Sequence, residues 1–224
     1  DKFANKKGRD SLYKFEKTLR YVLLIAMIAA GLFIAIRIPI LTLFYERGSF
    51  TAESVNNLAS VIPWYLLAAV FVGGLNLLRN LFYSKGDFKN IAILGLIIPI
   101  IFFILAGFLK EKYSFVGIGI AYALTFTALF FITVYLAKNK KEKFLSNNFL
   151  IFILRNAISV IIASLMVSIY LPFILNITSQ LVSIISSIFL FSTVYFLSSK
   201  FIFKLKEIDE IEFMLISKLK SSIE

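Results

Sequence analysis

The chain of 224 residues contains neither His nor Cys. Imidazole proton shuttles, thiolate nucleophiles and Cys/His metal sites are therefore excluded within it, and most hydrolytic and redox schemes go with them. Charge is the chemistry that remains. Arg37 lies inside an apolar run and is followed at once by Ile38 and Pro39. At the centre of a membrane helix an arginine costs roughly 2.5 kcal/mol or more, so it faces a cavity or a partner unless it snorkels to the headgroups. Both directions are open from the residues alone. In a cavity, its guanidinium would recognise an anion such as a phosphate. Arg79 and Arg155 are further candidates for that role. No Asp or Glu occurs within the apolar runs, so an internal carboxylate relay for protons or sodium is not expected. With no nucleophile–base pair and no metal-ligand cluster to name, the expectation is a non-enzyme that uses neither metal nor cofactor.

Two polar stretches interrupt the apolar chain. In "LFYERGSFTAES", Leu43 to Ser54, Gly48 suits a chain stop that needs positive φ, and Thr51 opens the next helix with Glu53 in its first turn. A plain outer hairpin explains it, and the Glu46-Arg47-Gly48 specificity leaves a functional reading open beside that one. "LLRNLFYSKGDFKN" groups Arg79, Tyr83, Lys85, Asp87 and Lys89. Aromatic and basic residues belong at a membrane interface in any case, and Asp87 reads as the cap of the following helix. A phosphate-binding or gating element is the second reading.

These residues have to be positioned by membrane-spanning elements. The chain is 59% hydrophobic with a mean hydropathy of +0.87, against about 45–50% apolar for soluble domains. Apolar runs fall at Tyr21–Tyr45, Leu58–Tyr83, Ile91–Leu109, Phe115–Ala137, Phe149–Leu171 and Ile177–Phe203. Each can cross a hydrocarbon layer of about 30 Å as a helix, and none alternates as a barrel strand would. The expected fold is therefore all-α: a polytopic bundle of six transmembrane helices.

Lys and Arg gather in the opening twenty residues, in the turn after Arg79, in "KNKKEK" and in the end from Lys200, whereas the other loops hold only Arg47, Lys110 and Lys112. The positive-inside rule then puts both ends in the cytoplasm. It also accounts for the net charge of +11, so no nucleic-acid partner is expected.

From Lys204 to Glu224, Leu205, Ile208, Ile211, Leu215 and Leu219 recur at helical spacing. This predicts an amphipathic helix on the interface. Gly117, Ala121 and Thr125, and the pair Gly73-Gly74, predict close helix packing. The stripes Asn156, Ser159, Ala163 and Ser179, Ser183, Ser186 are expected to pair with each other, with the edge of a groove as the second reading. The opening is too charged for a signal peptide, and the chain is expected to be a fragment of a longer one.

With its spans in view, "LFYERGSFTAES" resembles the "llfeRGaFt" signature of the MurJ (MviN) family of lipid II flippases, in the multidrug/oligosaccharidyl-lipid/polysaccharide exporter superfamily. "NLLRNLFYSKGD" resembles that family's next cytoplasmic turn, and "VGIGIAYALTFTALFFITVYLAK" its "GlAlA" helix. The resemblance implies helices nine to fourteen of a fourteen-helix flippase in the bacterial cytoplasmic (inner) membrane. Its substrate would be the undecaprenyl-pyrophosphate-linked peptidoglycan precursor lipid II, and its partners membrane lipids and the missing N-terminal half.

The same resemblance implies a division into a basic link (1–20), a four-helix part of the transport lobe (21–138), two extra helices forming a lipid-tail groove (149–203) and a cytoplasmic tail (204–224). Glu46, Arg47, Gly48 and Phe50 would form an outer-gate hairpin, and Phe82, Tyr83 and Asp87 an inner-gate turn. Two departures stand out: the family's Pro-started helix after the turn is Asp87-Phe88-Lys89-Asn90-Ile91 here, and Ile91–Leu109 carries no Asn. Alternative readings are an O-antigen or capsule flippase, a drug/sodium antiporter of the same superfamily, or a non-transporting membrane scaffold.

Overall fold

The computed structural model describes residues 2–138, 145, 146 and 148–223. Most of the basic loop "KNKKEK", beyond Lys138, lies outside the described residues, as do the side chains of Leu215 and Leu219. The described chain is helical almost throughout: α1 (Lys2–Tyr45), α2 (Ala52–Ser84), α3 (Phe88–Lys138), α4 (Phe149–Leu175), α5 (Gln180–Leu197) and α6 (Lys206–Ile223). A π-helical turn, Ser198–Ile202, carries α5 onward. Five helices are long and apolar enough to cross a membrane.

One of the five is two crossings. Within α3, which has 51 residues, Ser114 has φ 54° and ψ −138°. The rings of Phe102 and Tyr122 lie 6.1 Å apart, whereas a straight helix would separate residues twenty positions apart by about 30 Å. The helix thus doubles back into two limbs, 88–113 and 115–138, and the chain crosses six times. Gly117 makes the reversal possible, because a Cβ there would lie 2.1 Å from the carbonyl oxygen of Leu109. The polar break expected between Leu109 and Phe115 is a sharp turn rather than a loop.

Helix α1 is the centre of the bundle. It packs on α2, α4 and α5, while α2 packs on α3 and α4 on α5. Leu23, Leu75, Leu78, Phe82, Phe130, Phe149 and Phe191 form the buried core. Small residues set the closest approaches, as expected where lipid gives helices no hydrophobic reason to associate. A Cβ on Gly31 would come 2.2 Å from Val160 Cγ1, and one on Gly74 would come 2.7 Å from Phe130. Gly117, Gly119, Ala121 and Thr125 are buried, with Gly119 against Val61 and Trp64. Of the Gly73-Gly74 pair only Gly74 is at a tight crossing, since nothing but Val22 comes within 4.0 Å of a Cβ on Gly73.

Asn156, Ser159, Ala163 and Ser183 of the two polar stripes are buried where α4 packs on α5, but the serines of one stripe do not bond to those of the other. Ser159 and Ser183 donate back to the carbonyls of Arg155 and Ser179 in their own helices. The bond that crosses from α5 to α4 is instead the Tyr195 hydroxyl donating to Asn156 Oδ1 at 2.8 Å, while Asn156 Nδ2 meets Met27 Sδ at 3.1 Å. A hydroxyl on a short stem reaches its own helix more easily than the next one; a tyrosine spans the gap.

Candidate functional site

The hairpin between α1 and α2 is built by backbone bonds. The N–H of Arg47 donates to Tyr45 O at 2.7 Å, and that of Phe50 to Arg47 O at 3.2 Å. Gly48 has φ +60° and Thr51, with ψ 170°, caps α2 by accepting from Ser54 N. Phe50 packs beside Leu41, Val55 and Ala59, and its ring lies 6.1 Å from that of Tyr45. Glu46, Arg47 and Gly48 are exposed. The turn therefore anchors itself through Phe50 and displays two opposite charges.

At the other end of α2 the N–H groups of Lys85, Gly86 and Asp87 return to Phe82 O, Tyr83 O and Phe82 O. Gly86 takes φ +71°, a glycine-ended helix stop that satisfies the last carbonyls. Asp87 precedes α3 and accepts from Asn90 Nδ2 at 3.1 and 3.2 Å. Tyr83 is exposed and stacks on Phe88 at 5.8 Å, while Phe82 is fully buried. Of the three residues expected at this turn, Phe82 is its anchor in the core and Tyr83 and Asp87 form its surface.

Of the directions open from the sequence, Arg37 takes that of a partner. Its Nε donates to the carbonyl of Ala59 on α2 at 3.0 Å and its Nη1 to Ile34 O at 2.6 Å. Ala59 needs such a donor because Pro63, four residues on, has no N–H to offer it. Nearby, Gln180 Nε2 donates to Pro39 O at 2.7 Å, tying the start of α5 to α1. Arg37 thus joins two helices through a carbonyl that proline has freed. Arg79 is half-buried on α2, and Arg155 is exposed on α4 with its Nη1 3.3 Å from Phe203 O. The three arginines are not brought together.

Two of the cavities on the bundle are lined by residues of several helices. One, of about 780 Å³, is an apolar groove walled by α4 (Ile153, Val160, Ser164), α1 (Met27, Gly31), α2 (Val70, Phe71) and Phe131 of the second limb of α3. The other, of about 430 Å³, lies where α1, α4 and α6 meet. There Arg20 donates to Glu16 at 2.8 Å and to Glu207 at 2.7 Å. Ser146 gives both its N–H and its hydroxyl to Glu16. Glu210 takes Lys17 and the Tyr21 hydroxyl, each at 2.6 Å, which hold its carboxyl below the usual carboxylate range.

The amphipathic tail is therefore docked by charge on α1, with Leu205 and Ile208 buried beneath it. Nothing in the spacing of either segment announces that pairing. The Glu16/Arg20 pair alone could have been read from its i,i+4 positions.

Six crossings, tight polar turns at both ends and an open apolar groove define a polytopic α-helical membrane protein. The family model described as "Lipid II flippase MurJ" matches residues 2–196, and the chain belongs to that family. Over 57 residues it is 37% identical to the "Probable lipid II flippase MurJ" of a Synechocystis species, a stretch that covers 25% of this chain and 11% of that protein. Its fold is similar to a solved structure described as "Lipid II flippase MurJ, inward closed conformation". The TM-score is 0.69 at 16% identity, covering 89% of this chain and 41% of the other. The chain thus spans about two-fifths of the solved relative.

Proposed function

We propose that this chain is the C-terminal half of a flippase that carries lipid II across the bacterial cytoplasmic membrane by alternating access, for peptidoglycan synthesis. The observation that carries the reading is the family match over residues 2–196. In this reading both ends of the chain are cytoplasmic, residues 21–138 are four helices of the C-terminal transport lobe, and 149–203 are two further helices that serve the lipid tail. The apolar groove supports that role for α4: α4 supplies much of its wall, and Ser164 and Ser168 are the polar side chains among its lining residues.

The Glu46–Phe50 hairpin is the outer gate and the Phe82–Asp87 turn the inner one. Their displayed charges and rings are what the preceding half of the protein would engage. Arg79 and Arg155 remain candidates for meeting the anionic headgroup, whereas Arg37 acts by holding α1 to α2.

The test is depletion of the full-length protein in its own cell, with the precursor labelled at the outer face. Lipid II is expected to accumulate on the inner face and growth to stop. Precursor that continues to reach the outer face after depletion would overturn the assignment.

A further inference from the structure

The smaller cavity carries charge that its own walls do not neutralise. Its three carboxylates, Glu16, Glu207 and Glu210, are each taken up by Arg20, Lys17, Ser146 or Tyr21. Arg155, Lys204 and Lys206 also line it. Arg155 donates only to a backbone carbonyl, Phe203 O at 3.3 Å, and none of these three cations pairs with a carboxylate among the described residues.

The backbone that presents them is unusual. The end of α5 widens into the π turn, the N–H of Leu205 reaches back to Ser199 O at 3.0 Å, and Leu205 is buried. Lys204, between them, sits at φ +48°, the position of a helix end that glycine fills without strain. A lysine there keeps a charge at the mouth of the cavity where the backbone alone would favour glycine. Such an outlier points to function rather than to packing. The volume of about 430 Å³ falls within the roughly 300–1,000 Å³ usual for small-ligand sites.

We infer that Arg155, Lys204 and Lys206 form a phosphate-binding site at the junction of α1, α4 and α6. The ligand is a phosphate-bearing group: the headgroup of a phospholipid in the adjoining leaflet, or a free phosphate. The cavity adjoins the apolar groove, Ile151 lining both, and it shares Arg155 with the transport reading above, whereas Lys204 and Lys206 have no part in that reading. Occupied, it would bridge α4 to the start of α6 and fix the tail against the bundle.

The experiment uses the full-length protein in an uncharged detergent, titrated separately with dihexanoyl phosphatidylglycerol and with sodium phosphate, with bound ligand read by native mass spectrometry and stability by thermal unfolding. Lys204→Gly retains the left-handed backbone and removes the charge, so its melting temperature is expected to equal or exceed that of the wild type while binding weakens about tenfold, one charge-assisted contact. Arg155→Gln is expected to weaken it similarly, and Lys14→Gln, exposed on α1 outside the cavity, to leave it unchanged. Phospholipid binding with this dependence identifies the lipid source, and sodium phosphate binding with it the soluble one. Unchanged binding in Lys204→Gly and Arg155→Gln, or an equal loss in Lys14→Gln, overturns the site.

Discussion

At the scale of single residues, the membrane turns ordinary side chains into substitutes for missing backbone donors. Arg37 is the clearest case, since its guanidinium serves the Ala59 carbonyl that Pro63 leaves without a partner. Arg37→Ala is expected to destabilise the protein by about 1–3 kcal/mol, the cost of an orphaned polar group in an apolar setting. Thermal unfolding in detergent measures it. In the Pro63→Ala background the N–H of the new alanine can serve that carbonyl, so the same substitution should cost clearly less. Equal costs in both backgrounds would sink the explanation.

Tyr195 offers a second residue-level test. Its hydroxyl holds buried Asn156 across α4 and α5. Tyr195→Phe should cost about 0.6–2 kcal/mol, at the modest end because polar groups in membranes find other partners. The same unfolding experiment reads it.

At the scale of elements, glycines decide which helices may touch. The α3 reversal needs Gly117, where any Cβ would strike the Leu109 carbonyl. A backbone atom cannot move aside as a side chain can, so Gly117→Ala should loosen the turn by about 1–3 kcal/mol. The chain has no native Cys, which allows a clean check. A short bismaleimide crosslink between Phe102→Cys and Tyr122→Cys, whose native rings lie 6.1 Å apart, should form readily in the parent and slowly in the Gly117→Ala background. A Cβ on Gly31 would strike Val160 Cγ1 hardest, at 2.2 Å, with Ser164 Oγ at 3.2 Å, so Val160→Ala should restore most but not all of the loss in Gly31→Ala.

The docking of α6 on α1 is sensitive to pH through Glu210. Its carboxyl is held below the usual range by bonds to Lys17 and Tyr21, so the folded form binds protons less readily than the unfolded one. The stabilisation is complete above the ordinary carboxylate pKa of about 4.3 and is lost as pH falls through the lowered folded value. Spin labels on α1 and α6 should separate on acidification in that window. In Glu210→Gln the distance should not respond there.

At the scale of the whole molecule, much of the apolar surface is still uncovered. Only 6% of the most hydrophobic window of α3 is buried, against 39% in α1. Leu96, Phe103 and Phe108 on its first limb are each 73% exposed. Lipid accepts such a face without penalty, and so would the remainder of a longer protein. The chain spans 41% of its solved relative, and under the proposed flippase reading residues 1–224 expressed alone should not restore growth to a depleted strain that the full-length protein rescues. Rescue by these residues alone would show that the transport machinery is complete within six crossings.

The positions of the crossings, the break near Ser114, the Gly48 turn, the Thr51 cap and the helical tail were legible in the sequence. Each depends on local chemistry: run length against bilayer thickness, a glycine where φ is positive, a hydroxyl or carboxylate before a helix. Ordered motifs along the chain likewise sufficed to suggest the family. Partners distant in the chain were not legible. Whether Arg37 meets a cavity or a carbonyl depends on where Pro63 of the next helix comes to rest, and the value of Gly31 depends on Val160. The cation cluster of Arg155, Lys204 and Lys206 exists only because a widened helix end turns α6 back toward α4. Hydropathy determines which segments enter the membrane, but in lipid all apolar faces are nearly equivalent. Close steric fit and long-range hydrogen bonds therefore choose the neighbours, and these are properties of the assembled bundle.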